Sequence, residues 1–217
     1  MTLRLDHIAI GAASLEDGAA WVEEHLGAAF PAGGAHPRMG THNRLMGLGR
    51  SVYLEVIAID PDAPAPDRPR WFGLDDPAVQ ARLAERPRLL AWIARTNDIT
   101  ATLAAGPDGL GEIVPMSRGD LEWQISIRND GVPPFGGALP HLIQWPPDVH
   151  PAASLPDSGC RLDRLTLRHP APETVRNGLM ALEFVAGPSN VIVTPDIAPG
   201  LTASIRTPRG RTVLLES

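Results

Sequence analysis

Two side chains stand where residues of their kind are costly unless they are used. His7 lies inside the apolar run LRLDHIAI at residues 3–10, and Glu55 inside VYLEVIAI at residues 52–59. A buried carboxylate must be paired, hydrogen-bonded or functional. An imidazole in an apolar strand is either a general base or metal ligand lining a cleft, or a core histidine bonded to a neighbour. Two-residue alternation puts Leu5 and Ala9 on the face of His7. Segments 41–48 and 52–59 read as strands joined by a tight hairpin, with Gly49 at the first central position and Arg50 after it. That register sets Glu55 opposite Arg44 and brings His42 to the same face. If the face lines a cleft, His7, His42 and Glu55 form a two-histidine, one-carboxylate set suited to Fe(II), Mn(II) or Zn(II). Glu55 is then also the proton shuttle. Arg44 would repel such an ion and instead suits a substrate carboxylate held bidentately. The structural alternative is a cross-strand Arg44–Glu55 ion pair. A slip of one residue would put Asn43 on that face and remove His42.

Further candidates are weaker. Trp92, Trp123 and Trp145 fall on three middle strands and either wall an apolar substrate pocket or fill the core. Gln144 offers an amide for a metal or a substrate hydrogen bond, or is an edge-strand glutamine. Arg95 and Arg118 could recognise an anion. His25, His36, His150 and His169 sit beside loop signals or on a polar helix face and are assigned no chemistry. Glu216 is expected to pair with Arg164, and the single cysteine, Cys160, to be inert.

The elements that must position these groups can be read from pattern. After the first strand, Ser14 reads as a helix N-cap and Gly27 as the stop of an amphipathic helix. Two proline-rich linkers, residues 61–87 (with a short helix near its end) and 146–158, divide the chain into units 1–60, 88–145 and 159–217. The second unit reads strand 89–96, helix 98–105, then strands 112–117, 121–128 and 141–145. The third reads strand 161–168, helix 173–182, then strands near 190–193, 201–207 and 212–215. Each unit is thus a βαβββ module. A weak internal repeat supports this: LDHIAI resembles LDRLTL at residues 162–167, and GRSVYLE matches GRTVLLE at residues 210–216 in five of seven positions.

Composition narrows the chemistry. All 19 basic residues of the 217 are arginine, so Schiff-base, pyridoxal-phosphate and Walker A chemistry lack their lysine. One cysteine excludes disulfide frameworks and cysteine-rich zinc sites. A net charge of -6 with no dense arginine block argues against a nucleic-acid surface. Neither a membrane span nor a signal peptide is legible, so a soluble cytoplasmic chain with a small-molecule partner is expected.

With its repeated modules and first-strand Asp-His-Ile, the chain resembles the vicinal oxygen chelate superfamily of glyoxalases and extradiol dioxygenases. LDHIAIGAASLEDGAAWVEEHLG, HPRMGTHNRLMGLG, VYLEVIAID, RPRWFGLDD, WIARTNDI, VPMSRG, CRLDRLTLRHP and TPRGRTVLLE are similar to bacterial glyoxalase-like domain proteins. The resemblance implies an α+β fold whose paired modules curve mixed sheets around a cleft. It also implies metal ligands on the first and last strands of each module: His7 and Glu55, then Trp92 and Gln144, then Arg164 and Glu216. Tryptophan and arginine cannot ligate a metal, so only the first module keeps a competent pair. Two functions follow as expectations. One is an isomerase or lyase for a small oxygenated metabolite, assisted by Zn, Ni, Mn or Fe. The other is a metal-free binding or sequestering protein. An unpaired third module further implies a homodimer.

Overall fold

In the computed structural model, which describes residues 2–186 and 190–217, the first strand, β1 (Leu3–Gly11), is buried over nearly its whole length. A strand covered on both faces needs a helix to cross over it, and the next segment supplies one. Ser14 accepts a hydrogen bond from the Asp17 amide at 3.1 Å to start α1 (Leu15–Leu26). Gly27, at φ 67°, ends it in the left-handed region. The chain then forms β2 (Gly34–His36), β3 (Thr41–Gly47) and β4 (Tyr53–Ile59). β4 runs parallel to β1, and β3 and β2 follow antiparallel beyond it.

The second unit repeats this order. After α2 (Pro77–Glu85) come β5 (Arg88–Arg95), α3 (Ile99–Ala105), β6 (Glu112–Arg118), β7 (Leu121–Ile127) and β8 (His141–Gln144). β8 lies parallel to β5, with β7 and β6 antiparallel outside it. β1 and β5 pair antiparallel at the centre, so the units share one sheet in the order β2-β3-β4-β1-β5-β8-β7-β6. This order is two-fold symmetric about the β1–β5 seam. The sheet curves until its ends meet: Arg38 Nη1 on the β2 side donates to the Pro115 carbonyl of β6 at 2.9 Å.

The third unit keeps the expected order of strand, helix and three strands, with one short strand added, but pairs its strands differently. After α4 (Pro151–Ser154) it comprises β9 (Arg161–His169), α5 (Pro172–Ala181), β10 (Phe184–Val185), β11 (Asn190–Pro195), β12 (Gly200–Arg206) and β13 (Thr212–Glu216). Its sheet runs β11-β9-β12-β13, while β10 instead pairs with the start of β1. The strand after its last hairpin, β13, is therefore separated from β9 by β12, whereas β4 touches β1 directly. The shared heptapeptide reflects the hairpin it encodes and not an equivalent place in the sheet. Arg164 and Glu216 consequently lie in different cross-strand rows, Arg164 opposite Ser204 and Glu216 opposite Thr202. The expected ion pair between them does not form among the described residues.

Two apolar layers result. On the convex side, Ile8, Leu54, Trp92 and Leu142 of the large sheet pack with α1 and with Leu165, Leu167, Leu201 and Ala203 of the third unit. The third unit thus buries its apolar face within its own chain. On the concave side, Ala9, Ile57, Ile93, Ile125 and Ile143 pack with Trp71, Phe72 and Trp123. No helix among the described residues is long and apolar enough to cross a membrane.

Candidate functional site

The concave layer encloses the site, and one irregularity in β1 sets its geometry. Leu5 pairs with Ala94 and His7 with Ile93, so Asp6 is the extra residue of a β-bulge. Strict alternation would have kept Leu5 on the face of His7. The bulge instead sends Leu5 and Ile8 into the convex core and turns the consecutive Asp6 and His7 away from it.

A second irregularity sets what faces Glu55. The β3–β4 hairpin closes between Leu48 and Val52, with Leu48 N donating to Val52 O at 2.9 Å. Its loop holds three residues, Gly49, Arg50 and Ser51, with Gly49 at φ 117°. The extra residue shifts the register by one, so Leu45 rather than Arg44 stands opposite Glu55. The expectation that placed His42 and Arg44 beside Glu55 is therefore corrected: both project from the other face, and the buried His42 Nε2 has no hydrogen-bond partner among the described residues. Asn43 takes their place on the cleft face.

His7 and Glu55 do meet. Their side chains are 6% and 7% exposed, with His7 Nε2 3.6 Å from Glu55 Oε2. That is an ion contact and not a hydrogen bond. His7 Nδ1 bonds Asp6 Oδ1 at 2.7 Å, and the His7 ring stacks on Tyr53 with centroids 4.4 Å apart. Burial alone would lower the imidazole pKa, but the flanking carboxylates of Asp6 and Glu55 outweigh it and raise the value to about 9. His7 is thus a cation between two anions. Burial would raise the Glu55 carboxyl, but the cationic His7 and the Asn43 amide more than offset this and hold it below its ordinary range.

Asn43 links the remaining polar groups. Its Nδ2 donates to Glu55 Oε1 at 2.5 Å and to His36 Nε2 at 3.3 Å, and its Oδ1 accepts from Arg118 Nη1 at 2.7 Å. His36, buried beside Arg118 and His7, has its pKa lowered to about 4, so it is neutral and can accept from Asn43. Arg118 reaches Asn43 across β2 because Gly34 has no side chain: a Cβ there would lie 2.6 Å from Arg118 Cδ. Behind His7, the fully buried Asp6 accepts from Trp145 Nε1 at 3.0 Å and His150 Nε2 at 2.9 Å. Burial opposes ionisation of Asp6, but the two histidines hold its carboxyl well below the usual range.

The aromatic wall comprises Trp71, Phe72, Trp123 and Trp145. The space left open between these groups is small, about 30 Å³. Buried Trp71 Nε1 has no hydrogen-bond partner among the described residues. Of the expected site residues, His7, Asn43, Glu55 and Trp123 converge here. Trp92 does not: it is fully buried in the convex layer, edge-on to Phe184 at 5.3 Å. Gln144 turns its Oε1 to the Ile99 amide at 2.7 Å, capping the start of α3. His36, Tyr53, Trp71 and Asp6 were missed. His36 could have been found had residues 34–36 been read as a strand paired with Asn43, but the surrounding glycines and proline signal a loop.

The residues present do not fit a resident divalent metal. In the first unit His7 stands beside Tyr53, and Glu55 beside Leu45. At the symmetric positions of the second unit Ile93 stands beside His141, and Ile143 beside Ile125. Two isoleucines therefore occupy the places from which a second pair of donors would project. Among the described residues no group of three His, Cys, Asp or Glu is placed to hold a metal. The site also already contains the guanidinium of Arg118.

A family model described as a glyoxalase-like domain matches residues 5–183. No curated protein matches the chain. Among solved structures, a hypothetical protein from Staphylococcus aureus is similar over 99% of this chain and 98% of its own, with a TM-score of 0.61 and 15% identity. The methylmalonyl-CoA epimerase of Mycobacterium tuberculosis matches over 66% of this chain and 88% of its own, with a TM-score of 0.43 and 17% identity. A single-substitution variant of the Streptomyces coelicolor methylmalonyl-CoA epimerase, in complex with 2-nitronate-propionyl-CoA, matches over 68% and 96%, with a TM-score of 0.43 and 18% identity.

Proposed function

The chain belongs to the glyoxalase-like domain family, part of the vicinal oxygen chelate superfamily, and on that premise we propose that it binds a small oxygenated molecule in the concave cleft without a metal. One observation carries this reading: His7, Asn43, Glu55 and Arg118 form a connected polar cluster against an aromatic wall. A convergent set of fixed polar groups in an apolar cavity recognises compact ligands that carry both a flat face and hydrogen-bonding oxygens. The unpartnered Trp71 Nε1–H adds a donor that a ligand oxygen can satisfy. Glu55 already spends one oxygen on Asn43 and faces His7 with the other, so it is a better acceptor for a ligand hydroxyl than a strong base. The pocket is small, so a ligand of several heavy atoms requires lining side chains such as Arg118 and Trp123 to shift.

The test uses purified protein stripped of metal by chelation, probed with benzoate and catechol (planar) and lactate and pyruvate (compact). Saturable quenching of tryptophan fluorescence is expected for at least one, lost in Trp123→Leu and unchanged when Mn, Fe, Ni or Zn is added. Binding that appears only with metal, or no binding by any probe, overturns the reading.

A second reading, isomerase or lyase chemistry by proton transfer, is favoured by His7 retaining its proton up to about pH 9 beside an ionised carboxylate. Exchange of a bound probe's carbon-bound hydrogen for deuterium, followed by NMR, separates turnover from sequestration.

A further inference from the structure

A solvent-open groove of about 590 Å³ lies on the far side of Trp145 and His150 from the cleft. It gathers Arg4, Arg50 and Arg95. Arg4 and Arg95 are direct cross-strand partners in the β1–β5 pair, an arrangement that places two like charges opposite each other and is destabilising by itself. Arg50 joins them from the β3–β4 hairpin, because Arg95 Nη1 donates to the Ser51 carbonyl at 2.8 Å and to the Leu5 carbonyl at 2.9 Å. Those two bonds fix the guanidinium of Arg95 while engaging only one of its three nitrogens; the other two make no hydrogen bond among the described residues.

The clustering runs against the composition of the chain. Carboxylates outnumber arginines, 25 to 19; some arginines take carboxylate partners, as in Arg70–Asp75, Arg128–Asp130 and Arg161–Asp157, and others stand singly, but here three gather around one groove. Among the described residues Arg4 and Arg50 form no ion pair. Three carboxylates lie near the group. Asp148 lines the groove from the exposed turn after β8. Asp6 lies behind Arg95 at 3.7 Å, already held by His7, His150 and Trp145. Asp157 feels the charge of Arg50 but is bound by both terminal nitrogens of Arg161. Three guanidiniums, one of them pre-set by backbone carbonyls, thus surround open space with too little negative charge to balance them.

We propose that this groove binds a dianionic oxyanion, the phosphate group of a small molecule, through Arg4, Arg50 and Arg95. The guanidinium fork matches phosphate oxygens in pairs, and a dianion relieves the Arg4–Arg95 repulsion that the fold otherwise carries. The proposal is independent of what the concave cleft binds.

Methyl phosphate and inorganic phosphate are the probes, titrated at low ionic strength against the full chain by calorimetry and by amide shifts of Ser51 and Arg95. Saturable one-to-one binding is expected, weakened at least about tenfold in the double variant Arg4→Gln/Arg50→Gln and unchanged in Arg86→Gln, which precedes β5 at the end opposite Arg95. The melting temperature without ligand should not fall in Arg4→Gln, since the substitution removes a repulsion, and its rise with phosphate should vanish. Should the double variant fold poorly, Arg50→Gln alone, at a hairpin tip, gives the same comparison. Absence of saturable binding overturns the proposal, as does equal binding by the double variant. Succinate binding as tightly as phosphate overturns the assignment of the ligand to phosphate.

Discussion

Asn43 is the residue on which the polar site turns. It uses both amide hydrogens and its carbonyl to separate one cation, Arg118, from one anion, Glu55, while satisfying His36. Replacing it with Leu, of similar size, leaves a buried carboxylate with one fewer donor. We expect Asn43→Leu to lose on the order of 2–3 kcal/mol in denaturant unfolding and to abolish probe binding. A second expectation concerns protonation. The pKa of His7 is raised above its unfolded value, so its contribution is complete below about pH 6.5 and is lost as pH rises through about 9. Stability measured from pH 6.5 to 9.5 should therefore fall in the wild type and stay flatter in His7→Gln. His36 and His141 have the opposite sign: both are held near 4 by burial, so they erode stability as pH falls from about 6.5 toward 4. That acid limb should persist in the His7 variant.

At the scale of elements, two single-residue irregularities decide which side chains enter the cleft. The bulge at Asp6 delivers two consecutive polar residues to the same region, and the three-residue hairpin loop delivers Asn43 in place of Arg44 and His42. Because side chains in a strand alternate with period two, one residue more or less exchanges the faces completely. Inserting one residue between Arg50 and Ser51, with the loop kept at three residues, would pair Leu48 with Ser51 and set Arg44 opposite Glu55. For that register β3 would have to drive Arg44 and His42 into the cleft and Asn43 out of it. The expected result is loss of the cooperative unfolding transition, or a drop of more than about 3 kcal/mol. A mutant as stable as the wild type would show that the turn does not determine the register.

For the whole molecule, the two-fold relation of the paired units explains why a fold associated with four projecting donors presents only two polar ones here. Ile93 and Ile143 stand where symmetry repeats His7 and Glu55. Substituting Ile93→His and Ile143→Glu together should create a divalent site. Cobalt titration should give a one-to-one visible spectrum in the double variant and none in the wild type; equal spectra would contradict the symmetry assignment. The third unit contributes differently. Its sheet covers the convex face, where Leu165, Leu167, Leu201 and Ala203 meet Ile8 and Trp92, so it supports the cleft from behind without lining it.

Local pattern alone revealed most of the elements. The Ser14 cap, the Gly27 stop and the strands of the first two units other than β2 follow from spacing and turn chemistry, and the motifs around His7 and Glu55 identify the family. Those two residues could be singled out because charge inside an apolar strand is expensive wherever the strand is placed. What could not be read was anything that depends on register or on contacts far apart in the chain. The Asp6 bulge leaves no mark in composition, and a loop of two residues cannot be told from one of three when Gly49, Arg50 and Ser51 all suit a turn. His42 and Arg44 follow from the expected register and Trp92 and Gln144 from the resemblance, and none of the four reaches the cleft as expected. Arg118 meets Asn43, and Trp145 meets Asp6, only because the curved sheet closes on itself. The third unit's strand order was likewise decided by the face it covers, since a repeated hairpin motif specifies a turn and two strands but not the neighbour they pair with.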